Sequence, residues 1–150
     1  MIRLLTVGKI KEQYLIDAIN EYKKRISKYT KIEIIEVPDE NFDIEKTLNK
    51  EKQSLEKYIF EKDYVITLEI EGKEISSIDF SNKLNEIRSI NSNITFIIGG
   101  SYGLSDEIKN RSNYKLSFSK MTFPHQLFRV LLLEQIYRAF KIINNESYHK

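Results

Sequence analysis

The sequence has no cysteine, which excludes disulfide frameworks, thiolate zinc sites, iron–sulfur clusters and cysteine nucleophiles together and favours a reducing compartment. Two prolines and five glycines in 150 residues are too few for a collagen-like or low-complexity chain, and they leave no Pro/Gly/Ser-rich linker at which to divide it. Long hydrophobic runs are missing as well: wholly apolar stretches such as Val130 to Leu133 fall far short of the roughly 20 residues that span a bilayer. The opening MIRLLTVGKI has too little apolar sequence before Lys9 for a signal peptide. Only two histidines are present, His125 and His149, too few for most His-based metal sites, so no metal is expected. With no internal repeat, the expectation is a single domain over residues 1–150, working in the cytoplasm.

What is present is the composition of a globular chain, with 41% hydrophobic and 31% charged residues and 17 Tyr and Phe to fill a core. The net charge of +2 conceals a polarity along the chain. Residues 1–31 carry +5, residues 32–110 carry −8 and residues 111–150 carry +5. If the fold brings the two ends together they form one positive surface, suited to a polyanion such as RNA. Otherwise the acidic middle serves only solubility.

Short β-branched or aromatic runs recur at Ile2 to Val7, Ile32 to Val37, Tyr64 to Ile70, Ile94 to Ile98 and Lys115 to Ser119, with helical patterns between them. The first helix sets Leu15, Ala18, Ile19, Tyr22 and Ile26 on one face; the second does so with Ile44, Leu48, Leu55 and Ile59. Ser76 with Asp79 fits a capping box, Ser105 before Asp106 and Glu107 starts a fourth helix, and Pro124 opens a fifth. Five strands alternating with five helices predict an α/β fold with a mainly parallel, two-sided sheet of five to six strands. Ligands of such sheets bind at the carboxyl ends of the strands. From Leu127 to Ile143 the last helix is apolar on nearly every side, more than one sheet can cover, which predicts a homodimer.

The loop Gly99-Gly100-Ser101-Tyr102-Gly103 follows a strand and precedes a helix, and holds three of the five glycines. There, backbone amides can approach a nucleotide-like ligand closely; the bland alternative is a tight turn needing positive φ. It is neither the G-x-G-x-x-G fingerprint nor a P-loop. Lys9 reads as a solvated cation, and Glu69 and Glu71 as a charged strand end rather than a catalytic pair. No serine is read in the context of a nucleophile elbow, Gly-x-Ser-x-Gly being taken as absent, so none is expected to act as a nucleophile. His125, in a helix's first turn, suits a structural hydrogen bond as well as a chemical role, and His149 sits in a polar tail of the kind that usually frays.

Taken together, VGKIKEQY near the start, VPDE at Val37 to Glu40, LEIEGKEISS from Leu68, FIIGGSYGL from Phe96, LSFSKMTFPHQLFRVLLLEQIYRAFKI from Leu116 and the closing Tyr148-His149-Lys150 form an ordered series that covers nearly the whole chain. The series resembles the ribosomal large-subunit pseudouridine methyltransferase H family of the SPOUT (α/β-knot) class, especially its versions from low-GC Gram-positive bacteria. Ser117 to Ile142 is its most specific part.

That resemblance implies S-adenosylmethionine-dependent methylation of N3 of a pseudouridine in 23S rRNA, in the stem-loop at the subunit interface, with the assembled ribosome as substrate. It also implies a homodimer and a C-terminal trefoil knot, a topology that general rules of chain connection would reject. Carried over by residue, the cofactor contacts are Leu68, Gly99, Phe118, Ser119, Lys120, Met121, Thr122 and Phe123. Family members commonly carry Leu-Ser-Pro or Leu-Ser-Ala where this chain has Phe118, Ser119 and Lys120. His149 and Tyr148 are the candidate catalytic groups, with Arg138 and Lys150 as charge stabilisers or phosphate contacts. On the residues alone, two other functions stay open: a nucleotide-using transferase on an α/β scaffold, and a non-catalytic RNA-binding module. The missing phosphate motifs count against the first and the glycine loop against the second.

Overall fold

A computed structural model describes residues 1–150. Along the chain run β1 (Ile2–Val7), α1 (Gln13–Ile26), β2 (Ile32–Val37), α2 (Ile44–Glu56), β3 (Tyr64–Glu74), α3 (Ser77–Ile90), β4 (Ile94–Ile98), α4 (Asp106–Arg111), β5 (Tyr114–Ser117) and α5 (His125–Ile143). The five strands form one sheet in the order β2-β1-β4-β3-β5, and every pairing is parallel. The carboxyl ends of all strands therefore share one edge of the sheet.

Both faces of that sheet are covered, and its inner strands β1 and β4 are buried throughout and nearly continuous apolar runs. Leu4, Ile66 and Phe96 point into a core shared with α1, α3 and α5, while their neighbours Leu5, Val65 and Ile97 point into a smaller core with α2 and α4. The serine caps form as their spacing predicts: the Ser76 hydroxyl accepts from the Asp79 N–H and that of Ser105 from the Ile108 N–H. The expected face of α2 is only half right. Ile44 is exposed, and the residues turned inward are Thr47, Glu51 and Leu55. The two polar ones fasten the loop between β2 and α2, Thr47 accepting from the Phe42 N–H and Glu51 from the Glu40 N–H.

β3 runs four residues past its apolar stretch because it pairs with β5 in two registers. Both Leu68 and Lys73 sit opposite Leu116, so Glu69 to Gly72 bulge from the ladder. Gly72 is needed where the bulge returns, since a Cβ there would lie 2.8 Å from the Leu116 carbonyl carbon. β5 stops at Ser117, two residues sooner than its pattern suggests, which frees the segment that follows.

From the edge strand β5 the chain crosses back to lay α5 between α1 and α3. Its largest fully buried side chain is a charged one. The Arg129 guanidinium, 1% exposed, donates through Nη2 to the carbonyls of Val7 and Gly8, each at 2.8 Å, and through Nη1 to the Glu36 carboxylate at 2.8 Å. Glu36 also accepts from the Ile10 N–H. Burial pulls the guanidinium below its ordinary pKa, and Glu36 opposes that shift. One residue thus ties α5 to the carboxyl ends of β1 and β2. Farther along, α5 packs Tyr137 against Tyr22 and Tyr29, so the two basic ends of the chain do meet.

Removing the guanidinium strands the buried carbonyls of Val7 and Gly8 and leaves the partly exposed Glu36 carboxylate without its cation. Arg129→Met should lower the free energy of unfolding by about 3 kcal/mol in a urea titration. A loss below about 1 kcal/mol, the scale of an ordinary point substitution, would show that this clamp does not hold α5 in place.

Candidate functional site

A cleft of about 160 Å³ opens at the carboxyl edge of the sheet. Its walls come from four places: the β3 bulge (Leu68, Glu69, Ile70), the glycine loop (Gly99, Gly100, Gly103), the segment after β5 (Phe118, Ser119, Met121, Thr122, Phe123) and the first turn of α5 (His125, Phe128). Of the cofactor positions expected from the sequence, all line it except Lys120, which is exposed. The aromatic rings form an apolar wall, Phe128 lying 4.8 Å from Phe118, tilted by 59°, and 5.9 Å from Phe123 between centroids. The segment itself is held by its serines. Ser117 donates to the Ser119 carbonyl, and the Met121 N–H donates to the Ser119 hydroxyl.

The glycine loop closes on itself. The Gly103 N–H donates to the Gly100 carbonyl, and a Cβ on Gly99 would stand 2.4 Å from the Gly103 oxygen. Gly99 is therefore required by its own turn before any ligand arrives. Gly103 has φ +75°, so the turn does need one left-handed residue, yet a Cβ there would meet nothing within 4 Å. Against the sequence expectation, this loop does match Gly-x-Ser-x-Gly, the spacing of a hydrolase nucleophile elbow. Ser101 is exposed, with no histidine or carboxylate hydrogen-bonded to its hydroxyl.

One carboxylate lines the cleft. Glu69, 9% exposed, accepts from the Thr67 hydroxyl at 2.6 Å, and its other oxygen lies 3.9 Å from the Lys109 ammonium. Lys109 is closer to the exposed Glu71, at 3.1 Å, and that hydrogen bond is the chief reason its pKa is raised. The strand-end reading of Glu69 missed this position because the bulge that turns it inward is a matter of register. His125, left open between two roles, faces the same cleft.

The candidate catalytic residues assemble elsewhere. The tail is folded back on α5 rather than frayed. The Tyr148 ring packs edge-on against Tyr137 at 4.9 Å, its hydroxyl donates to Glu134 at 3.0 Å, and the Arg138 guanidinium covers its face. Glu134 also accepts from Arg138, whose Nη1 meets His149 Nδ1 at 3.0 Å. Burial, followed by the Glu134 hydrogen bond, pushes the Tyr148 phenol up to about 12, so it stays protonated at neutral pH. Glu134 is the hub of this arrangement, and its only sequence signal is the i, i+4 spacing to Arg138. None of Arg138, Tyr148 and His149 lines the cleft of its own chain.

A family model described as "Predicted SPOUT methyltransferase" matches residues 1–149. A Methanococcus maripaludis relative, provisionally named ribosomal RNA large subunit methyltransferase H, is 58% identical, with 99% of both chains covered. Clostridium botulinum and Clostridium tetani proteins named ribosomal RNA large subunit methyltransferase H are 54% and 53% identical over the same share. A solved structure from Haemophilus influenzae Rd KW20, of a protein assigned to a methylase family, superposes with a TM-score of 0.60 at 15% identity, covering 99% of this chain and 70% of that one. This last likeness concerns the fold alone.

The two outer glycines of the loop should respond differently to alanine. Gly103→Ala should cost about 1 kcal/mol, the strain of a left-handed non-glycine residue. Gly99→Ala should cost more and displace the loop, because backbone stands where the methyl group would go. Denaturant unfolding of the two variants side by side checks this, and equal losses would contradict it.

Proposed function

The chain belongs to the SPOUT methyltransferase family, and from that premise we propose that it methylates N3 of a pseudouridine in large-subunit ribosomal RNA. As a member it uses S-adenosylmethionine, and the family's C-terminal trefoil knot comes with membership rather than with the strand order. The observation that carries the proposal is the division of labour just described: a cleft fit for the cofactor, and a separate polar tail built of hydrogen-bond donors. The cleft fits on its own geometry. Its glycine loop leaves no room for a Cβ at Gly99, its aromatic wall suits a flat heterocycle, and its single carboxylate suits a cationic ligand.

Bound there, S-adenosylmethionine supplies an electrophilic methyl group on a sulfonium sulfur. Leu68, Gly99, Phe118, Ser119, Met121, Thr122 and Phe123 would hold and orient it, largely through backbone, which makes Phe118 a tolerable departure from the family pattern, while Lys120 stands outside the cleft. The nucleophile, an imide nitrogen, must shed its proton, and the negative charge left behind spreads onto the flanking carbonyl oxygens. Groups that donate to that charge lower the barrier. The tail supplies such groups. Arg138 has only donors to offer, so the His149 Nδ1 that faces it accepts, and a neutral ring then presents its Nε2–H outward. Tyr148 is likewise a donor, its phenol held protonated. In this arrangement His149 and Tyr148 stabilise the anion rather than take the proton.

Because the tail does not reach the cleft of its own chain, the active site is completed in a homodimer, one protomer offering the cleft and its partner the tail. The half-exposed Val130 and Leu131 beside the exposed Leu127 give α5 an apolar face for that contact. The substrate is the ribosome, which puts the protein in the cytoplasm, acting as one domain. No helix is long and apolar enough to cross a membrane, and no group of three His, Cys, Asp or Glu residues is placed to hold a metal. The basic surface where α1 and α5 meet, with Lys23, Lys24 and Lys28 exposed, suits the RNA backbone.

Labelled cofactor incubated with ribosomes from a strain lacking the enzyme should deliver its label to one pseudouridine, and label on any other nucleotide would sink the assignment. His149→Ala should reduce transfer by roughly 10²-fold, the value of a positioned donor or acid–base group. Cofactor affinity and the dimer seen by light scattering should stay unchanged, whereas wild-type turnover by the variant would remove the tail from the mechanism.

A further inference from the structure

The cleft contains no lysine or arginine, and its single carboxylate, Glu69, is almost fully buried among apolar walls. In such surroundings a fixed charge is poorly screened and acts across several ångströms. Lys109 is the one cation near it, but at 3.9 Å it stands farther from Glu69 than from Glu71, where its hydrogen bond lies. The Thr67 hydroxyl fixes one Glu69 oxygen in place, so the carboxylate cannot swing away to solvent. The cleft therefore carries a negative charge that Lys109 neutralises only in part.

We propose that Glu69 is a charge discriminator, which makes the cleft prefer the sulfonium form of the cofactor to the neutral thioether left after methyl transfer. The proposal rests on the cofactor reading of the cleft and adds to it a residue and a purpose. When the methyl group leaves, the sulfur keeps the electron pair of the broken C–S bond and its positive charge disappears. The aromatic faces and backbone carbonyls also attract a cation, but weakly. Glu69 is the one full negative charge lining the cleft, so its attraction falls most at that moment, which loosens the spent cofactor and admits the fresh one.

Titration calorimetry of the full-length protein with S-adenosylmethionine and, separately, with S-adenosylhomocysteine tests this. Glu69→Gln keeps the bond from Thr67 and should weaken the sulfonium ligand by about tenfold while changing the thioether by less than about twofold. Lys109→Met, which strips the partial neutralisation, should move the ratio the other way. Equal losses for both ligands in Glu69→Gln would assign the carboxylate to a group they share, such as the ribose or the ammonium, and overturn the proposal. An unchanged ratio in both variants would do the same. Binding of neither ligand by the unaltered protein would sink the cofactor reading together with it.

Discussion

A long helix that must return from the edge of a sheet to its middle needs something to stop it at the right place, and here that is a buried guanidinium. Apolar packing alone is permissive about register, because leucines and isoleucines at helical spacing fit neighbouring turns almost equally well. Arg129 is not permissive. Its planar fork finds two carbonyls and one carboxylate within 2.8 Å, and any shift of α5 would leave the two buried carbonyls without a donor. The first turn of α5 lines the cleft and its third and fourth turns carry the tail, so both the cleft wall and the tail take their positions from this clamp.

Much of the fold is legible in the residues. Ile2 to Val7, Ile32 to Val37 and Ile94 to Ile98 are strands with the bounds their β-branched runs predict. The serine caps are legible because a hydroxyl three residues before a free N–H is a local arrangement. What stays hidden depends on distant partners. Arg129 looks like one charge in an apolar helix until Val7, Gly8 and Glu36 are placed around it. Glu51 turns inward against the apolar pattern of α2 because the Glu40 amide needs an acceptor.

The site divides in the same way. The family series already contains the segment from Phe118 to Phe123 and the glycine loop, and the fold sets them side by side. Glu69 escapes notice because its direction depends on two registers of β3 against β5, which no spacing reveals. The tail is polar, as frayed ends are, but Tyr148 finds an aromatic partner in Tyr137 and an acceptor in Glu134, so composition misstates its order.

The partners of Arg129 are separated from it by 93, 121 and 122 positions, so the decisive contact joins opposite ends of the polypeptide. During synthesis all five strands emerge before α5 does. Until it arrives, the apolar flanks of α1 and α3 have no cover, and the larger core stands open to water. Such a chain closes late and slowly, by non-local search rather than by the zipping of neighbours. Its most vulnerable species is then the nearly complete nascent chain, with the sheet formed and its last helix still inside the exit tunnel.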